Sequence, residues 1–148
     1  MDNKVKQILV STISSTIILG CYSLYIYNHY IAENLNIINE FKFWGNAFLI
    51  MIPISIITQI IILIVFAIIN KILTDEDLQI INDERDKLIE LKAIRISHWT
   101  FILGFLLSMG SQALEMPVWV MFLTLILSGF FSSIISDLTK IYYYRKGF

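Results

Sequence analysis

Asp75–Arg95 reads DEDLQIINDERDKLIELKAIR, the one strongly charged stretch in a chain of 148 residues. Between Lys71 and Arg95 stand five of the eleven Lys/Arg residues and seven of the twelve Asp/Glu residues. On both sides the chain turns almost wholly apolar. Charge-free runs cover Gln7–Ala32, Phe43–Asn70, Ile96–Leu114 and Met116–Ser136. Each reaches the roughly 20 residues a helix needs to cross a hydrocarbon core of about 30 Å. A soluble bundle would show apolar stripes backed by polar faces. These runs are apolar nearly all round, so the solvent they imply is lipid.

The expected fold is therefore all-α: an integral membrane four-helix bundle whose third helix carries a charged cytoplasmic extension. One domain covers 1–148, with spans at about 8–27, 44–70, 97–113 and 117–136 and a cytoplasmic loop at 71–96. Only 16% of the residues are charged, against roughly 25% in soluble domains. Cys21 is the single cysteine, which excludes an intramolecular disulfide and a cysteine-built metal site.

The net charge of −1 hides the asymmetry that sets orientation. The N-terminal segment holds Lys4 and Lys6, the central loop five basic residues, and the C-terminal end Lys140, Arg145 and Lys146. The first and third loops together hold Lys42 alone. By the positive-inside rule both termini and the charged loop face the cytoplasm of a cell whose inner membrane holds the protein.

Within the charged stretch, Thr74-Asp75-Glu76-Asp77 and Asn82-Asp83-Glu84 each pair a capping side chain with acids, as at a helix start. No Gly or Pro follows Asp83 until Gly104. The spacing predicts one helix from about Asp83 to Met109, roughly 40 Å long, its first half projecting into water or lying along the surface. At about 100° per residue, Glu84, Arg85, Leu88, Lys92, Arg95 and Trp99 share a stripe, with Asp83, Asp86, Lys87 and Glu90 on the far side. Asp83 and Lys87 suit an i,i+4 pair. A solvated helix with snorkelling Lys92 and Arg95 is the plain reading of that stripe. The functional reading makes Glu84, Arg85, Leu88, Lys92 and Arg95 a docking face for a protein partner or a second copy, because charges of both signs surround Leu88.

The run Asp83-Glu84-Arg85-Asp86-Lys87-Leu88-Ile89-Glu90-Leu91-Lys92, leading through Arg95 to Ser97 and a span, resembles a group of small bacterial and archaeal four-span membrane proteins. That group carries a DERD-x-LI-x-LK segment before its third span. The resemblance implies location and topology, and brings no activity with it.

Polar residues inside the spans are few. Thr12, Thr16 and Gly20 recur at spacing four, as do Gly104 and Ser108, and Ser128, Ser132 and Ser136. Small residues so spaced let helices approach closely in lipid. Gln59 lies near the middle of the second span, where an amide bonds across to another helix. Read as a pathway instead, Thr12, Thr16, Gln59, Ser128 and Ser132 would line a small transporter or channel. Ile18-Leu19-Gly20-Cys21 resembles a bacterial lipobox, which would make Cys21 a lipidation site after cleavage.

No ionisable residue stands in the middle of a span, unlike the acidic residue inside small proton-coupled exporters. His29 and His98 are the only imidazoles, and this topology puts them on opposite sides of the membrane. A Mg²⁺-dependent lipid enzyme built on Asp83, Glu84 and Asp86 lacks the surrounding Gly and Ala-Arg pattern of the phosphatidyl transferases. The expectation is thus a non-enzymatic membrane component acting through residues 83–95, with no cofactor, no metal and no nucleic-acid partner. Its partners are the bilayer, a cytoplasmic or membrane protein, and copies of itself.

Overall fold

The computed structural model describes residues 3–74 and 83–146. Among these the chain is helical almost throughout. Helix α1 spans Asn3–Ile26 and runs into a wider π turn at Tyr27–Ile31. A 3₁₀ turn at Leu35–Asn39 follows, opened by Asn34, whose side chain accepts from the Asn36 amide at 3.1 Å. Helix α2 covers Phe41–Thr74, α3 Glu84–Ala113 and α4 Val118–Lys146. All four are long and apolar enough to cross a membrane.

The ends of these helices follow from local chemistry. Pro53 sits inside α2, which runs on around it without the amide that residue would have donated. Asp83 caps α3 by accepting from the Glu84 amide at 2.7 Å, and Asp86 reaches back to the Asp83 amide at 3.3 Å. That reciprocal arrangement satisfies donors a helix start leaves orphaned. The expected Asp83–Lys87 pair gives way to it, since the Asp83 carboxylate is spent on the cap. The Thr74-Asp75-Glu76-Asp77 start lies outside the described residues, apart from Thr74 at the end of α2.

Helix α3 stops in a Schellman turn. The Met116 amide donates to the Ser111 carbonyl and the Glu115 amide to the Gln112 carbonyl, both at 3.0 Å. Glu115 occupies the left-handed position, φ 58°, usually given to glycine. Pro117 directly precedes α4, where its fixed φ and missing donor do no harm.

The helices stand side by side with alternating direction, and α4 is central. Helix α3 packs along most of α4, while α1 packs against both α2 and α4. Helix α2 leans on α1 and meets α4 only at its own start, where Trp44 stacks on Phe122 with centroids 5.7 Å apart. Phe41 and Phe48 flank the same ring. The α3–α4 seam is made of small residues: Gly104 faces Ser128, Ser108 donates to the Met121 carbonyl at 2.8 Å, and Ser132 donates to the Ser97 carbonyl at 2.7 Å. Other hydroxyls bond their own helix one turn back, as Thr16 to Thr12, Ser55 to Met51 and Thr100 to Ile96. In an apolar solvent such groups would have no other partner.

Much of the apolar surface faces outward. Leu49 is 70% exposed and Leu107 69%, whereas the fully buried side chains are few. Lipid, rather than a protein core, is what that surface suits.

Candidate functional site: the charged end

The start of α1, the start of α3 and the end of α4 meet at one end of the bundle. The charged half of α3 does not stand free there. It lies against the end of α4 because Asp86, Ile89 and Ala93, spaced three and four apart, turn inward together. Ile89 and Ala93 are fully buried and Asp86 is 9% exposed.

Asp86 is the hub. Its carboxylate pairs with the Lys4 ammonium from α1 and accepts from the Tyr144 hydroxyl of α4 at 3.0 Å. Three helices are tied through one side chain. Burial pushes the carboxyl up, but the hydrogen bonds from Lys4 and Tyr144, the Lys4 charge and the Asp83 amide outweigh it and hold the group below its ordinary value. Periodicity alone groups Asp86 with Asp83, Lys87 and Glu90 on the side of α3 opposite Leu88. The ammonium and the phenol that bury it come from 82 and 58 residues away, beyond the reach of any local pattern.

The opposite face of α3 carries the predicted docking residues. Glu84, Arg85, Leu88 and Arg95 are exposed, beside exposed Leu91, Ile94 and Trp99. Lys92 differs: it is half-buried, with its ammonium 4.8 Å from the centre of the Tyr143 ring. Nearby, Lys146 donates to the Tyr142 hydroxyl at 3.0 Å, which lifts its amine above the ordinary value. The surface is therefore charged of both signs, apolar between, and edged by the α4 tyrosines.

The polar residues of the spans take individual places. Thr12 Oγ1 lies 2.7 Å from Asp137 Oδ2 and 2.9 Å from the Ile8 carbonyl, joining α1 to α4. Thr16 is exposed, and a side chain at Gly20 would meet open space. Gln59 donates to Ser11 across the α1–α2 contact, while its Oε1 is buried without a hydrogen-bond partner among the described residues. Ser128 is buried against Gly104 and bonds the Leu125 carbonyl, and Ser132 bonds Ser97. Cys21 is exposed on α1.

His29 stacks on Tyr25 at 4.9 Å, at the end away from the Lys4–Asp86 pair, and His98 is exposed on α3. Among the described residues no three His, Cys, Asp or Glu side chains come close enough to hold a metal ion.

Sequence reasoning missed the Lys4–Asp86–Tyr144 hub and the Thr12–Asp137 contact. The capping-box spacing Asp83-x-x-Asp86 was the available signal for the first, since it turns Asp86 back toward the helix start. No family model, no curated protein and no solved structure matches this chain.

Proposed function

We propose that the chain is an integral inner-membrane protein with both termini and the residue 71–96 loop in the cytoplasm. It acts as a binding or regulatory component through the outer face of α3, at Glu84, Arg85, Leu88 and Arg95, with Lys92 at the edge. The same face would serve a second copy of the chain, since the inner face of α3 is taken by α4.

The observation that carries this reading is the division of α3. Asp86, Ile89 and Ala93 saturate the inner face, while Leu88, Leu91 and Ile94 stand 47%, 62% and 52% exposed among charges. Leu88 is fenced by acids and bases, an environment that suits a protein surface with its own mixed charges better than a uniformly anionic lipid layer. The DERD-x-LI-x-LK resemblance adds support for the topology and none for the activity.

A photo-crosslinking side chain at position 88 tests it in intact cells. The expected result is one adduct of defined mass, lost when Arg85 and Arg95 are changed to Glu. A diffuse smear of lipid adducts, unchanged by those reversals, would overturn the reading. The second reading, a solute or ion pathway, draws on the unpartnered Gln59 Oε1 beside Ser11. Flux through purified protein in liposomes that Gln59→Leu abolishes would favour it.

A further inference from the structure

Away from the charged end, α1 and α2 border a groove of about 1040 Å³. Its back is formed by compact residues, Ser14 on α1 and Ala47 on α2, both buried. Its walls are isoleucines, among them Ile18 and Ile54. At the mouth stand Glu40 and Lys42, both exposed, with neither in an ion pair among the described residues. Tyr25 and Tyr30 rim the same end, as aromatic residues do at a headgroup level.

We propose that this groove is a lipid site that seats a phospholipid bearing a zwitterionic, amine-containing headgroup. The inference rests on the membrane reading above, and goes beyond it to a ligand. Its lining suits that occupant: from Lys42 to Ile62 it follows α2 for about 30 Å and is mostly apolar below the charged mouth, as acyl chains require.

Charge selects the headgroup. Lys42 is the only basic residue in the first and third loops, and it offers its ammonium to a phosphate. Glu40 stands two residues away and offers its carboxylate to an amine. A purely anionic headgroup would satisfy Lys42 and be repelled by Glu40; a zwitterion satisfies both.

The test reconstitutes the full chain in nanodiscs of equal phosphatidylethanolamine and phosphatidylglycerol, then extracts it in mild detergent for native mass spectrometry. Wild type should retain phosphatidylethanolamine over phosphatidylglycerol about fivefold, the effect of one well-placed exposed ion pair. Glu40→Lys should reverse that preference. Ile54→Trp, which fills the groove, should lose the retained lipid, and Ile18→Trp from the other wall should do the same if the first variant fails to fold. Equal retention of both lipids, or undiminished retention in folded groove-filling variants, overturns the inference. So does a change in oligomeric mass on filling the groove, which would mark a contact between copies. A chain that needs no detergent at all would instead defeat the membrane reading beneath it.

Discussion

Gly104 and Ser128 face each other across α3 and α4 so closely that a Cβ built on Gly104 would lie 3.2 Å from the Ser128 Cα. The Ser128 side chain lies nearer still, and it is 7% exposed with nowhere to move. This approach lets Ser108 and Ser132 reach backbone carbonyls on the facing helix. In lipid, close packing and such hydrogen bonds, rather than water exclusion, hold helices together.

Gly104→Ala should therefore destabilise the fold by about 2–3 kcal/mol through overpacking. Adding Ser128→Gly should restore most of that loss, a strong coupling in a double-mutant cycle. Thermal unfolding in detergent reads both, and additive effects would contradict the geometry.

The Asp86 hub should set acid stability. Its carboxyl is held below its unfolded value, so the stabilisation is complete above about pH 4 and is lost as pH falls through the lower, folded value. Asp86→Asn should flatten the acid limb of the unfolding temperature against pH. Asp86→Ala should cost about 1–3 kcal/mol at neutral pH, the low side of a buried pair because the Lys4 side chain keeps 31% of its surface exposed. Replacing both residues, as Lys4→Met with Asp86→Leu, should cost less than Asp86→Ala alone.

Glu115 carries a backbone cost at the end of α3. A non-glycine residue in the left-handed region is strained by roughly 1–2 kcal/mol, and φ is 58° there. Glu115→Gly should raise stability by about 1 kcal/mol, whereas Glu115→Val should lower it. The unfolding midpoint measures each.

At the opposite end, Phe122 connects α2 to α4 through Trp44, which is 8% exposed and also donates to the Ile38 carbonyl at 2.8 Å. Phe122→Ala should cost about 3–4 kcal/mol. Phe122→Leu should cost less while losing the stacking contribution of about 1 kcal/mol. Tryptophan emission should shift to the red in the alanine variant as the indole loses its cover.

Helix number and several helix ends were legible in the sequence because their causes are local. Charge-free runs mark the four long helices, α3 starts at Glu84 with Asp83 as its cap, one residue on from the start expected at Asp83, and Pro117 stands just ahead of α4. Facing was harder. Gly104 with Ser108 and Thr12 with Thr16 show the same spacing, yet Gly104 meets another helix closely and Thr16 is exposed. Spacing marks a surface able to pack and does not name its partner. Asp86 shows the same limit for charge. On a wheel of α3 alone it sits with Asp83, Lys87 and Glu90, and only a fold that delivers Lys4 and Tyr144 to it makes its burial favourable. The outer residues Glu84, Arg85, Leu88 and Arg95 are exposed as the periodicity suggested, but Lys92 is drawn toward Tyr143, a residue on another helix.

The membrane arrangement underlies every functional statement, and one topology measurement tests it most directly. A protease site inserted between residues 78 and 79 should be cut in inverted inner-membrane vesicles and protected in intact spheroplasts. Cleavage only from outside the cell, or recovery of the chain in the soluble fraction without detergent, would contradict the account.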